Sequence, residues 1–245
     1  MRDKFIRRNV ILLLALISVL CLVLRFATDI KAVSTIGENN NVSEYTVIID
    51  AGHGGEDCGA IGTNGVYEKD INFSVACNLR DMLTLAGVKV IMTRTEDKLL
   101  YTEAQNIKGQ RKMYDLRNRL TVSNDNPDAL FVSIHMNNFS SPSCHGLQVY
   151  YSKNTQGSKK LAEYIQNSVC ENIQTDNKRK IKAASSDIYL LDRAKSDSVL
   201  VECGFLSNPD ECEKLCDKDY QRKLSFSLFC GIIEFIENDG NQKTE

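Results

Sequence analysis

Two of the three histidines in this chain follow short runs that are typical of buried strands. His53 lies in A-G-H-G-G, just past the run at residues 45–50, and His135 directly follows the run at residues 129–134. In open α/β sheets the carboxyl ends of the strands form one edge, and ligands bind there. The two imidazoles are therefore predicted to converge at that edge, as the ligands of a metal ion would.

Two glutamates are placed to complete such a site. Glu68 stands where a helix is predicted to begin, and Glu202 follows a third strand-like run at residues 198–201. Hydrolytic zinc commonly takes two histidines and one carboxylate and keeps a fourth position for water. His53, Glu68 and His135 fit that set for one ion. Glu202 is then predicted to be the general base, a role that a residue engaged as a ligand cannot fill.

Each of these residues also has a simpler interpretation. A single histidine after a strand is more often a hydrogen-bonded structural residue. Glu68 alone could be an acid that favours the start of a helix, and Glu202 alone could pair with Arg193 or Arg94. The apolar sequence around Glu202, V-L-V-E-C-G-F, argues against an ordinary surface pair, because unpaired carboxylates are rarely removed from water without a function.

Four further polar residues are candidates for roles in or near this site. Glu56 and Asp57 are alternative carboxylate ligands, but their closeness to His53 on a turn favours a role as partners of the ligands. Asn137 is a candidate hydrogen-bond donor to the oxyanion that develops during amide hydrolysis. His145 is interpreted as a loop or rim histidine, since no strand leads to it.

Residues 1–32 have the composition of an export leader, with basic residues ahead of an apolar stretch at 10–24 that is interrupted at Arg25. That stretch is long for a cleaved signal peptide and short for a spanning helix, so a signal peptide and an uncleaved membrane anchor both stay open. Residues 33–44 are polar and are predicted to be a linker. One catalytic domain is expected at 45–240, followed by a short tail at 241–245.

The charge balance argues against nucleic acid as a partner. The whole chain carries a net charge of −2, and the predicted leader holds six basic and two acidic residues. The remaining chain is therefore acidic, with a net charge of −6. Phosphate binding needs a clustered basic face, and the sequence contains no such cluster.

Eight of the nine cysteines lie beyond the predicted leader, in a chain that is expected to be exported. Their spacing does not follow a disulfide framework, and a domain of this size does not need one. Free thiols buried in the fold are the favoured interpretation. Cys212 and Cys216 share a predicted helical face, but no second pair of soft ligands accompanies them, which argues against a structural zinc site.

Strand-like and helical patterns alternate along the chain, which predicts a single α/β domain with a twisted, mostly parallel sheet and helices on both faces. The basic segment 176–182 is interpreted as a loop. Residues 189–191 fit either a short edge strand or a rim element near the site. Further strands are predicted at 88–92 and 147–151, and helices at about 68–86, 111–124, 161–173 and 224–236.

Five motifs occur in a fixed order along residues 47–236. They are I-I-D-A-G-H-G-G-E-D-C-G-A from Ile48, E-K-D from Glu68, T-R-T-E-D from Thr93, S-I-H-M-N-N from Ser133 and V-E-C-G-F-L-S-N-P from Val201. Together they resemble the zinc-dependent N-acetylmuramoyl-L-alanine amidases of bacterial cell walls, the amidase-3 family. The resemblance implies one zinc ion held by the two histidines and Glu68, with Glu202 as the catalytic glutamate.

Two other positions, Arg119 and Ser123, are compared with the pattern of the family. Arg119 matches an arginine that the family carries ahead of its second histidine, whereas Ser123 stands where an alanine is common. Arg94, Arg119 and Asn137 are expected either to contact the substrate or to support the ligands.

The reaction implied is hydrolysis of the amide that joins the lactyl group of N-acetylmuramic acid to L-alanine of the stem peptide in peptidoglycan. Two alternatives stay open. One is a non-catalytic peptidoglycan-binding protein with the same fold and metal, although the intact Glu202 argues against it. The other is a zinc peptidase that cuts within the stem peptide, which would use the same four residues in a groove of different shape.

A leader followed by one catalytic domain resembles the CwlD type of spore-forming bacteria, which acts in making the muramic-δ-lactam of the spore cortex. No wall-binding repeats flank the domain, and the interval between His135 and Glu202 has no room for the inhibitory helix of some relatives. The expected location is the cell wall or the forespore intermembrane space, with the leader in contact with the membrane. An accessory protein is expected to supply targeting or activation.

Overall fold

The computed structural model of the protein describes residues 42–243, whose centre is a six-stranded sheet. The strands are β1 (Thr46–Ala51), β2 (Lys89–Met92), β3 (Leu130–Asn137), β4 (Gln148–Tyr151), β5 (Lys182–Ala183) and β6 (Ser198–Phe205). Their order across the sheet is β2-β1-β3-β6-β4-β5. The first four strands in this order, β2, β1, β3 and β6, run parallel to one another. Strand β4 is antiparallel to β6, and β5 is parallel to β4. The predicted α/β class with a mostly parallel sheet is confirmed.

Helices cover both faces of this sheet, because the strands at its centre are apolar on both sides. Val47 and Ile49 of β1 belong to the large core cluster that holds the apolar residues of the first, third and last helices, whereas Ile48 belongs to a second cluster on the opposite face. The helices are α1 (Glu68–Leu85), α2 (Arg111–Asn124), α3 (Gln156–Asn172), α4 (Tyr189–Arg193), α5 (Pro209–Cys216) and α6 (Lys218–Lys243), with 3₁₀ turns at Val42–Glu44 and Glu103–Gln105.

Helix α1 shows why the periodic pattern predicted these elements correctly. Ile71, Val75, Leu79 and Leu83 recur at helical spacing and are all buried. Gly87 follows the helix with φ of 87°, a left-handed conformation that glycine adopts without steric cost. The helix therefore begins at the predicted site glutamate and ends before the next strand. Helix α2 has the predicted bounds as well.

Residues 189–191 are helical and not a strand. In α4, Leu190 packs with the cluster under β1 and β3, whereas Leu191 packs with Leu200 in a third cluster. The carbonyl oxygen of Leu191 accepts a 2.7 Å hydrogen bond from the Ser152 hydroxyl, and the Ser152 amide donates to Ser198 at the start of β6. This helix is therefore beside the beginning of β6, away from the edge where Glu202 lies.

The folded part extends slightly beyond the predicted domain at both ends. Val42, assigned to the linker, is buried in the main core, and α6 continues to Lys243. The predicted leader, with its apolar stretch at 10–24, lies outside the described residues. Within residues 42–243, no helix combines the length and apolar character that crossing a membrane requires. The eight cysteines in this range are free thiols, with Cys203 and Cys212 buried and the other six half-buried.

Candidate active site and metal centre

The turn after β1 carries His53 to the carboxyl edge of the sheet in a strained conformation. His53 has φ of 62°, in the left-handed region that residues with a Cβ rarely adopt. Gly54 and Gly55 follow it with φ of 144° and 54°, values that favour glycine. Strain of this kind persists only where surrounding contacts hold the backbone in place.

Two buried arginines provide those contacts. Arg119 of α2 donates to the carbonyl oxygens of Ala51 and His53, each at 2.8 Å. Arg94 donates to Ala51 at 2.9 Å and to Gly52 at 3.3 Å. Both side chains are about 2% exposed or less. They therefore lie behind the turn and support its main chain. Of the two roles expected for them, this position favours support of the metal ligands over contact with substrate.

The charge of Arg119 is balanced by two buried carboxylates. Its Nη1 lies 2.6 Å from Asp50 Oδ1, and its Nε lies 2.8 Å from Asp115 Oδ2. Asp50 also accepts hydrogen bonds of 2.7 Å from the hydroxyls of Thr93 and Ser133. Burial alone would raise the pKa of Asp50, but Arg119 and the two hydroxyls outweigh it and leave the pKa below its usual value.

Replacing Arg119 with Met is expected to lower the free energy of unfolding by about 3–5 kcal/mol, because it leaves the buried carboxylates of Asp50 and Asp115 without their cationic partner. Denaturant unfolding at neutral pH measures this change. Since pairing lowers the pKa of Asp50, its contribution is present above the unfolded-state pKa and is lost as the carboxylate becomes protonated at lower pH. Arg117→Met, an exposed position on the same helix, is the control and should change stability little. Equal effects of the two substitutions would contradict this account.

Glu68 is the first residue of α1 and lies between the two histidines. Its Oε2 is 3.2 Å from His53 Nε2, and its Oε1 is 2.9 Å from His135 Nδ1. The amides of Ala60 and Met136 donate to the same carboxylate at 2.8 and 3.1 Å. Burial opposes ionisation of Glu68, but the two histidines hold its pKa far below the usual value. Glu68 is therefore an anion that both rings face.

Asp57 lies on the other side of the His53 ring. Its Oδ2 is 2.9 Å from His53 Nδ1, which leaves Nε2 directed towards Glu68. Burial lowers the pKa of His53, but hydrogen bonds to Asp57 and Glu68 outweigh it and raise that pKa to about 9. Glu56 is exposed and pairs with Arg111 at 2.6 Å. Of the two neighbouring acids, Asp57 thus orients His53, whereas Glu56 points to a surface partner.

The three side chains offer a donor set that fits a divalent metal ion. One ligand atom each from His53, Glu68 and His135 can be chosen so that all three lie within 4.8 Å of one another. The two imidazole rings are 4.9 Å apart between centroids and nearly perpendicular, at 77°. A Cβ at Gly52 would overlap the His135 ring, and one at Gly59 would overlap Glu68, so these glycines make room for the cluster. Two nitrogens and one carboxylate suit Zn²⁺.

Glu202 stands directly beside this cluster without belonging to it. It pairs in register with His135 across β3 and β6. Its Oε2 is buried and has no hydrogen-bond partner among residues 42–243. Burial raises the pKa of Glu202 to about 7, although His135 acts in the opposite direction. Arg94 contacts the main chain elsewhere and Arg193 pairs with Asp192, so neither arginine pairs with Glu202 as the simpler interpretation required.

Asn137 and His145 lie outside the cluster of His53, Glu68 and His135. Asn137 ends β3, half-buried and two residues beyond His135, and its carbonyl oxygen accepts a 2.8 Å hydrogen bond from the Leu206 amide. His145 is an exposed loop residue whose Nδ1 lies 3.1 Å from the Ser143 carbonyl oxygen.

Sequence reasoning missed Asn72, which is buried and reaches both Gly52 and Glu68 through its side-chain amide. The signal available was its spacing, because a residue four positions after Glu68 lies on the same face of the helix. Asn72 thus links the first residue of the turn to the carboxylate between the histidines.

Comparison with known proteins places this geometry in a family. Residues 47–234 match the amidase-3 family model, described as N-acetylmuramoyl-L-alanine amidase. The germination-specific N-acetylmuramoyl-L-alanine amidase of Bacillus subtilis is 36% identical over 200 residues, which cover 82% of this chain and 83% of that protein. The N-acetylmuramoyl-L-alanine amidase LytC of the same organism is 33% identical over 83% of this chain and 38% of its own length.

Solved structures agree with the sequence relatives. The CwlD amidase from Clostridioides difficile, in a structure with the GerS lipoprotein, has 39% sequence identity and a TM-score of 0.76 over 80% of this chain and all of that one. The AmiC2 amidase of Nostoc punctiforme has 28% identity and a TM-score of 0.68 over 79% of this chain and 98% of that one. The chain belongs to the amidase-3 family of N-acetylmuramoyl-L-alanine amidases, and it is an enzyme of the CwlD-like group within it.

Proposed function

We propose that this protein hydrolyses the amide between N-acetylmuramic acid and L-alanine in peptidoglycan, with one Zn²⁺ held by His53, Glu68 and His135. The observation that carries the proposal is Glu202, an unpaired and largely buried carboxylate in register with one of the three ligands. A hydrolase needs a base that is not engaged as a ligand, and Glu202 has no hydrogen-bond partner within residues 42–243 that would occupy it.

The chemistry divides between the bound ion and the protein. When bound, Zn²⁺ supplies positive charge to the carbonyl oxygen and lowers the pKa of water from about 15.7 towards 7. Glu202 takes one proton from the attacking water and delivers it to the amine nitrogen of L-alanine as the carbon–nitrogen bond breaks. Asp57 and Glu68 keep the His53 ring in its orientation, while Arg94 and Arg119 hold the turn that carries it.

Digestion of purified peptidoglycan tests the reaction directly. We expect the zinc-loaded enzyme to release stem peptides with a free L-alanine amino group and to leave glycan strands without peptides. Mass spectrometry of the soluble products, with and without a chelator, makes this measurement. Cuts inside the stem peptide would indicate the peptidase alternative, new reducing sugar ends would indicate a glycosidase, and binding without any product would indicate the non-catalytic alternative.

The germination-specific name of one relative supports a role in the spore, and the resemblance to the CwlD type implies that this role is in making the muramic-δ-lactam of the cortex. Action outside the cytoplasm, in the cell wall or the forespore intermembrane space, follows from the substrate. The leader at residues 1–32, with its apolar stretch at 10–24, is proposed to direct the protein there, either as a cleaved signal peptide or as an anchor.

An accessory protein is the proposed source of targeting or activation. One relative, the CwlD amidase from Clostridioides difficile, has a structure in complex with the GerS lipoprotein, and this complex supports the proposal of a protein partner. Proteins that co-purify with this chain from its own cells can be identified and their genes deleted. Unchanged activity and localisation after these deletions would count against an accessory partner.

A further inference from the structure

The basic segment 176–182, predicted to be a loop, is a loop up to residue 181 and enters β5 at Lys182. This loop contributes the side chain of Arg179 to the face of the sheet that bears Glu202. The guanidinium of Arg179 lies over the Phe205 ring, 4.9 Å from its centroid, and its Nη2 donates to Gln148 Oε1 at 2.5 Å. Gln148 is the direct cross-strand partner of Glu202 in the antiparallel pair of β4 and β6. Residues directly opposite each other in such a pair project from the same face.

The register of β6 brings Phe205 to this face as well. His135 pairs with Glu202 and Asn137 pairs with Phe205, so β6 has one residue more than β3 between the two pairs. This bulge reverses the alternation of side chains along β6. Phe205 therefore projects from the same face as Glu202. Because Arg179 covers the Phe205 ring, it lies beside Glu202, the predicted general base.

The loop is held tightly in this position. The Asn177 side chain accepts from the Arg179 amide at 2.9 Å and donates to the Leu147 carbonyl oxygen at 2.8 Å. The Gln148 side-chain amide donates to the Lys180 carbonyl oxygen at 2.7 Å. These bonds fix the backbone on both sides of Arg179 against β4. The guanidinium is thus placed beforehand and loses little freedom when it binds a ligand.

Some N–H donors of Arg179 form no hydrogen bond within the described chain. Its Nε is buried and donates to no atom within residues 42–243, and Nη1 has no hydrogen bond in that range either. No carboxylate of the described chain forms an ion pair with it. Burial raises the pKa of Glu202, and the charge of Arg179 is among those that oppose this rise, which places the two within electrostatic range.

We propose that Arg179 binds a free carboxylate of the stem peptide close to the scissile amide and makes the enzyme prefer stems in which that carboxyl group is not amidated. This inference rests on the proposed function. A planar guanidinium matches a carboxylate and binds it through two parallel hydrogen bonds. The sugar near the bond offers only uncharged hydroxyl and acetamido groups, because its lactyl carboxyl is consumed in the amide. The anion must therefore come from the peptide.

Two soluble substrates test this assignment. One is a glycan tetrasaccharide with L-alanyl-D-glutamate stems whose γ-carboxyl is blocked as the methylamide, so that the α-carboxyl is the single free carboxylate. The other is the same compound with the α-carboxyl amidated as well. For the zinc-loaded wild type we expect kcat/KM to be about 10- to 100-fold higher for the free acid, as for one charge-assisted hydrogen-bond pair. Arg179→Gln should bring this ratio close to one by slowing only the free acid. Lys180→Gln, which removes an exposed cation one residue away, should keep the wild-type ratio.

The outcomes distinguish a failure of the role of Arg179 from a failure of the proposed amidase activity. Equal kcat/KM for the two substrates in the wild type, or an unchanged preference in Arg179→Gln, would overturn the role of Arg179 and leave the amidase activity standing. Release of peptide from neither substrate would overturn the proposed function itself. Arg179→Lys keeps the charge but lacks the fork, so it should lose most of the preference. Full preference in this variant would also overturn the proposal, even if Arg179→Gln does not fold.

Discussion

Glu202→Gln is expected to lower kcat by at least about 100-fold while the protein keeps its metal, because it removes the base and leaves the three ligands intact. Gln has almost the same shape as Glu but cannot take a proton from water. Turnover of peptidoglycan fragments measures the loss, and metal analysis of the purified variant measures the retained zinc. Glu213→Gln, at an exposed position on α5, is the matched control and should leave kcat unchanged.

The same substitution should leave the melting temperature unchanged or raise it. The Oε2 atom of Glu202 is buried without a partner in the described chain, and burial raises its pKa to about 7, so the ionised form is held at a cost to stability. Removing an unsatisfied charge at a catalytic position commonly exchanges activity for stability. A variant that retains activity, or that loses both activity and zinc, would refute Glu202 as the unligated base.

His53→Ala is expected to lose the metal and to reduce activity to background, because the remaining pair of ligands cannot hold Zn²⁺ tightly. A chelator should have the same effect on the wild type, and added zinc should restore the wild type but not the variant. Metal content and turnover are measured in parallel. His145→Ala, at the exposed loop histidine, should retain both, and comparable losses in the two variants would contradict the assignment.

Zinc uptake by the metal-free enzyme should also depend on pH. A protonated histidine must lose its extra proton before it can bind the metal. Burial lowers the pKa of His53, but Asp57 and Glu68 outweigh it and raise that pKa to about 9. Protons therefore compete with zinc at neutral pH. The apparent affinity should rise with pH until about 9, by roughly tenfold per pH unit for one displaced proton. Competition titrations against a zinc-binding dye at several pH values measure the slope, and a flat profile would contradict this competition.

Most elements of the fold could be predicted from the sequence because their signals are local. Apolar residues at helical spacing placed α1, and β-branched runs placed β1, β3 and β6, each to within a few residues. Residues 189–191 were too few to show a period, and the sequence left their conformation open. They form a short helix in which Leu190 and Leu191 pack into different clusters, each with neighbours that are distant in the chain.

For the candidate site, too, some features could be predicted from the sequence and others depended on the tertiary structure. The chain alone determined which residue types stand at the ends of three strands, and hence the choice of His53, His135 and Glu202 as candidates, because strand ends are recognisable from local composition. Glu68 was also predicted from the sequence, with Glu56 and Asp57 as alternatives, but only the tertiary structure shows that Glu68 lies between the two rings. That choice depends on how α1 packs against the sheet.

The structure also gave a position to Arg94 and Arg119, whose role the sequence left open, and to Arg179, which the sequence analysis did not single out. Arg94 and Arg119 lie behind the turn and donate to its carbonyl oxygens, whereas Arg179 donates to Gln148, the cross-strand partner of Glu202. Strand register and a single extra residue in β6 produce that difference. Residue type and spacing thus determined the reactive groups, whereas pairing between distant segments decided their neighbours, because contacts across a sheet leave no periodic trace in the chain.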